Sequence, residues 1–133
     1  MHWSAGFVGI PYLDRGYDRT GACCWGLLWL VQREVFGRDV PRHDEPVAMV
    51  QAGKELMAST FFAGARVVPV APAEVQAGDV LHMKGFRAGK VTRLHCGVLT
   101  GRHHVLHTSI TTGAIVEDLR RAPWRWIQAY RFV

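Results

Sequence analysis

The sequence has no run approaching ~18 uninterrupted apolar residues, the length a helix needs to cross a bilayer. Membrane insertion by a helix is therefore not expected. The start, Met1-His2-Trp3-Ser4, has neither the basic segment nor the apolar stretch that directs secretion, so a chain beginning here is expected to be made in the cytoplasm. Cysteine is scarce and odd in number: Cys23 and Cys24 are adjacent, and Cys96 stands far away. Three cysteines do not describe a disulfide framework, and at least one thiol stays free. No Cys-x-x-Cys pair and no His-Glu-x-x-His helix occurs, which removes the common zinc patterns, and no RNP-like or zinc-finger pattern points to nucleic acid.

What is present describes one domain over residues 1–133. The composition is 49% apolar and 20% charged, and a chain of 133 residues buries enough surface to hold a core without disulfide, metal or cofactor. Lysine and arginine number 16 against 11 acidic residues, a net charge of +5. That excess favours anionic partners: nucleic acid, anionic lipid, an acidic protein face or a bacterial wall polymer. The arginines are scattered from Arg15 to Arg131 without a tight run, which argues against a dedicated nucleic-acid domain.

Along the chain, a helical half precedes a stranded half. Residues 11–21 are rich in turn formers and read as a loop. From Cys24 to Phe36, Leu27, Leu28, Val31 and Val35 recur at helical steps and Gly37 supplies a stop, which predicts a helix. A second helix is expected from Glu45 to about Ser59, with Pro46 in its first turn. Strands are expected near Arg66–Val70, Asp79–Lys84, Thr92–Thr100, His103–Ser109, Ala114–Leu119 and Trp126–Val133. The class is α+β, with N-terminal helices packed on a C-terminal antiparallel sheet.

Three residues carry candidate chemistry. Cys24 sits where a turn-rich loop meets the first turn of an apolar helix, a place where unpaired N–H groups and the helix dipole favour a thiolate and can receive an oxyanion. Gly26 keeps the helix surface low there and leaves room for a substrate backbone. A buried structural cysteine is the plainer alternative. In Arg93-Leu94-His95-Cys96-Gly97-Val98-Leu99, alternation sends Cys96 to the core face and His95 to the other. If the loop to the next strand is Thr100-Gly101-Arg102, His95 lies directly across from His107, roughly 4.5–5.5 Å away at Cβ. His107 would then orient His95 and leave its second nitrogen for Cys24, the logic of a cysteine hydrolase. A lone strand histidine is otherwise a satisfied or surface residue.

At these residues the sequence resembles the NlpC/P60 family of cell-wall cysteine peptidases. Val8-Gly9-Ile10-Pro11-Tyr12 is similar to the family's Gly-x-Pro-Tyr opening, Cys24-Trp25-Gly26-Leu27-Leu28 to its nucleophile motif, and Gly78-Asp79-Val80-Leu81 to its Gly-Asp-Leu strand start. His95-Cys96-Gly97-Val98 resembles His-x-Gly-Ile, with Val105-Leu106-His107 following in order. The resemblance implies a papain-like fold, Cys24 as nucleophile, His95 as general base and His107 as third polar residue. It also implies a substrate and oxyanion site formed by Tyr12, Trp25 and Gly26. The implied substrate is the peptidoglycan stem peptide, typically at the bond between D-glutamate and diaminopimelate. One departure stands out: Cys23 occupies the place where the family usually has Asp.

The Trp form of the nucleophile motif is familiar from phage tail members, and a short domain without an export signal resembles a siphophage tail-tip protein. The expected setting is a virion tail tip or baseplate, assembled with other tail proteins and opening the host wall locally. The alternative is a structural tail-tip hub or plug with a vestigial peptidase fold. Reading His95, His103, His104 and His107 as a metal cluster is disfavoured, because His103 and His104 point to opposite faces of one strand.

Overall fold

The computed structural model describes residues 2–42 and 66–133, so the helix expected over Glu45–Ser59 lies outside the described residues. The loop at 11–21 contains a small hairpin, β1 (Tyr17–Asp18) with β2 (Gly21–Ala22), that feeds helix α1 (Cys24–Glu34). The stranded half follows as β3 (Val67–Val70), β4 (Val80–Arg87), β5 (Lys90–Leu99), β6 (His104–Ser109), β7 (Gly113–Asp118) and β8 (Trp126–Phe132). These six pair antiparallel in the order β3-β8-β4-β5-β6-β7. The expected class holds. Pro69 in β3 is tolerated because β3 is an edge strand, where a missing N–H costs no second ladder.

Helix α1 ends as its sequence dictates. Gly37 takes a left-handed φ of 63°, and the Arg38 N–H turns back to the Gln32 carbonyl at 2.9 Å, which satisfies a carbonyl of the last turn. Its apolar side, Leu27, Leu28 and Val31, packs with Val80, Cys96, Val98 and Leu106 on one face of the sheet. Leu81, Met83, Leu99, Val105, Leu119 and Ala129 form a second cluster. Both faces of the central strands are thus buried, which explains why β4, β5 and β6 each carry an adjacent apolar pair, Val80-Leu81, Val98-Leu99 and Val105-Leu106, with one member in each cluster.

Two buried polar side chains join these layers. Gln32, with no exposed surface, donates from Nε2 to Gly78 O at 3.0 Å and accepts from Arg38 Nη1 at 3.1 Å. Asp79, 1% exposed, accepts from Arg131 Nε at 2.8 Å and Nη2 at 2.9 Å, and from the Gln76 N–H at 2.9 Å. The Gly78-Asp79 pair is therefore an anchor between the start of β4, the end of β8 and α1. Replacing Asp79 by Ala removes both acceptors for Arg131, and hydrogen bonds to charged groups make the expected loss about 2–3 kcal/mol. Urea unfolding measures it, and an unchanged midpoint contradicts the anchor.

Candidate active site

The site is built at the start of α1. Cys23 takes the extended N-cap conformation, and its Sγ accepts the Gly26 N–H at 3.3 Å while lying 3.6 Å from Gly16 O. An N-cap side chain satisfies one of the helix's orphan donors. Sulfur is a weaker acceptor than the oxygen of Asp, Ser or Thr, so this cap is a modest one. A Cβ on Gly26 would lie 1.8 Å from Gly16 O, so the loop backbone seats directly on the helix start. The expectation that Gly26 leaves room for a substrate is corrected by this contact: Gly16 already fills the space. Trp25 is corrected too. It is 1% exposed, its Nε1 donates to Pro41 O at 2.8 Å, and it belongs to the core rather than to a substrate surface.

Cys24 is half-buried and meets β5. Its sulfur faces the Cys96 thiol, the Cys96 N–H and the His95 ring. The Cys96 hydrogen bond, with smaller help from His95, outweighs burial and holds the Cys24 thiol well below its ordinary range. Burial and the facing Cys24 push Cys96 well above that range. The two facing thiols are thus driven in opposite directions, Cys24 down and Cys96 up. Burial and the adjacent Cys24 push Cys23 up to about 11, so it is a neutral cap. Tyr12, half-buried near Cys24, is pushed up to about 12 by burial and by that neighbouring charge. It keeps its proton and remains a donor.

The two strand histidines meet, by a register different from the expected one. The loop is Gly101-Arg102-His103, closed by the Thr100 N–H donating to His104 O at 3.0 Å. Strands β5 and β6 pair at Val98↔Leu106 and Leu99↔Val105, a register that sets Gly97, not His95, across from His107. A Cβ on Gly97 would stand 2.6 Å from Val105 Cγ2 and 3.1 Å from His107 Cβ. Because Gly97 carries no side chain, the His107 ring reaches diagonally to His95, and His95 Nε2 lies 2.9 Å from His107 Nδ1. The rings are edge to face, with centroids 5.1 Å apart.

Four participants escaped the sequence reading. A Cβ on Gly85 would lie 2.8 Å from His95 Cγ, so this glycine, beside a β4 irregularity, makes space for the ring. Cys96 was expected only as core and turns out to face Cys24 as well. Glu117 Oε1 lies 3.1 Å from His107 Nε2, and Arg125 Nε lies 2.5 Å from the same oxygen. The available signal for Glu117 was its place on a strand beside β6, but only the register reveals it. Val105 is directly across from Glu117, so the step from His107 to Glu117 is again diagonal. Among the described residues no three His, Cys, Asp or Glu side chains converge as a metal-holding group.

These contacts predict selective chemistry at one thiol. Iodoacetamide should alkylate Cys24 well ahead of Cys23 and Cys96, and should still do so at pH 6, because a lowered pKa keeps the thiolate at pH values where an ordinary cysteine is protonated. Gly85→Ala should displace the His95 ring and slow that labelling. Peptide mapping by mass spectrometry reads both, and equal labelling of the three cysteines contradicts the activation.

Comparison with known proteins agrees with this architecture. The model of the NlpC/P60 family matches residues 9–130. A curated relative, the murein DD-endopeptidase MepS/murein LD-carboxypeptidase of Escherichia coli strain K12, is 26% identical over 125 residues, covering 94% of this chain. The chain spans 56% of that relative's length. Among solved structures, the NlpC/p60 domain of the peptidoglycan hydrolase SagA superposes with a TM-score of 0.61 at 19% identity, over 96% of this chain and 92% of that domain. An NLP/P60 family protein of Staphylococcus aureus, similar to a lipoprotein, gives a TM-score of 0.64 at 23% identity, over 98% of this chain and 39% of that one. At these identities the structural likeness is one of fold.

Proposed function

The chain belongs to the NlpC/P60 family, and on that premise we propose that it is a cysteine peptidase that hydrolyses amide bonds in peptidoglycan stem peptides. The observation that supports this best is the His95 Nε2–His107 Nδ1 contact of 2.9 Å, set beside a Cys24 whose thiol is held well below its ordinary range. In the proposed reaction Cys24 Sγ attacks the amide carbonyl. The oxyanion forms beside the Cys24 N–H at the helix start and the protonated Tyr12 hydroxyl. His95 gives a proton to the departing amine as the C–N bond breaks, leaving an acyl-thioester on Cys24. Water, deprotonated by His95, then attacks that thioester, and the acid leaves as the thiolate returns. His107 holds the His95 ring throughout. The net charge of +5 suits a substrate that carries free carboxylates.

The bond we assign is the one between D-glutamate and diaminopimelate. The Escherichia coli relative is named for D,D and L,D activities in that protein, so the test must resolve all three positions. Purified protein and Cys24→Ala are incubated with defined wall fragments and the products are weighed by mass spectrometry. Release of stem-peptide fragments by the unmodified chain alone is expected. Equal, negligible release from both sinks the enzyme reading in favour of a structural docking piece, and cleavage outside the stem peptide contradicts the endopeptidase assignment.

For the setting, we propose a virion tail tip that contacts the host wall, with other tail proteins as neighbours. The Cys24-Trp25-Gly26 form of the nucleophile motif supports it. Mass spectrometry of particles purified from a lysogenic or infected culture should find this chain in the tail fraction, and its absence from every particle contradicts the setting.

A further inference from the structure

We propose that Glu117 is a positioning residue for the peptidase, fixing the proton of His107 on Nε2 and thereby committing His95 Nδ1 to Cys24. The inference rests on the Cys24, His95 and His107 roles proposed above and extends them by one side chain that those roles do not include.

The proton positions follow from who can donate. An ionised carboxylate only accepts. With Glu117 Oε1 at 3.1 Å, His107 Nε2 must carry the hydrogen of that contact. His107 is buried, 3% exposed by side chain, and burial, with the charges of His95 and Arg125, takes its pKa down to about 3. A neutral imidazole holds one proton, so His107 Nδ1 is bare and must accept. The partner at 2.9 Å is His95 Nε2, which must therefore donate. The proton that His95 exchanges during the reaction is left on Nδ1, the nitrogen available to Cys24. In its charged form His95 presents N–H groups on both sides, and only a His107 with a bare Nδ1 can receive the one on Nε2. The opposite His107 tautomer would set a lone pair against the carboxylate oxygen and a hydrogen against His95, which would prevent imidazolium formation.

Glu117 is itself held for this task. Arg125 Nε, on a side chain only 12% exposed, sits 2.5 Å from the same Oε1, an ion pair by distance whose N–H is not aligned as a hydrogen bond. Arg125 Nη1 donates to Lys84 O at 3.0 Å, and its guanidinium lies 4.4 Å from the Trp124 ring centroid. The arginine balances the carboxylate's charge, so Glu117 can accept a hydrogen from a neutral His107 without drawing a second proton onto it. The chain of contacts crosses β5, β6 and β7 by two diagonal steps, His95 to His107 and His107 to Glu117.

The test reads imidazole nitrogens directly. In the uniformly ¹⁵N-labelled full chain at pH 7, the His107 ring should be neutral with hydrogen on Nε2 alone. Hydrogen on Nδ1 overturns the proposal, and this measurement needs no variant. In Glu117→Ala the His107 signals should shift towards a tautomer mixture, iodoacetamide labelling of Cys24 at pH 6 should slow, and turnover of a stem-peptide substrate should fall by roughly 10²-fold with KM little changed, the lower end of what general-base catalysis contributes. Glu117→Asp should recover part of each. A Glu117→Ala protein with native His107 tautomer and native labelling rate overturns the positioning role even if its stability has dropped. If the unmodified chain digests no wall fragment, the peptidase reading fails by itself, while the tautomer and labelling results still decide what Glu117 does.

Discussion

The meeting of the α1 start with β5 is the constraint on which the rest depends. Gly26 lets the Gly16 carbonyl approach to a distance that a Cβ would forbid, Cys23 closes the first turn, and Leu27, Leu28 and Val31 press the helix onto Val98 and Leu106. With the helix so seated, Cys24 has no choice of neighbours. A half-buried thiolate is costly to desolvate, and two charges about 4 Å apart interact by ~4 kcal/mol near a protein surface. The His95 ring and the Cys96 groups beside the sulfur act against that cost. Cys96, on β5, has the largest lowering effect on the Cys24 thiol.

Two opposing demands are met by separating them along the sheet. The proposed nucleophile needs positive neighbours, while the histidine proposed to serve it needs an acceptor behind it. Placing Cys96 and His95 at Cys24, and Glu117 with Arg125 at the far end of the histidine pair, gives each side its own partners. The glycines make this possible by what they omit. Gly85 leaves the volume of the His95 ring, and Gly97 leaves the diagonal along which His107 reaches it. Asp79 and Gln32 keep the same strands in register with β8 and α1.

Much of this was legible in the chain. Helical spacing located α1 to within two residues, and turn residues marked the six strands of the sheet, because periodicity and Gly or Pro punctuation are local properties. The β1 and β2 hairpin was missed since two-residue strands leave no pattern. Cys24, His95 and His107 were visible as residue types at meaningful spacings. Trp25 and Gly26 were misread because a motif names neighbours in sequence, whereas burial against Pro41 and Gly16 is set by what folds back onto them.

The amino-acid sequence by itself determined the element order, the place of a thiol at a helix start, and the two histidines on successive strands. Only the tertiary structure decided the β5–β6 register that sets Gly97 across from His107, the pairing of Cys96 with Cys24, and the alignment of Glu117 and Arg125 behind His107. The physical reason is one of range. Propensity and capping act over a few residues, while register and proton placement depend on side chains that come together across strands, and a one-residue shift of the hairpin loop is enough to change which of them meet.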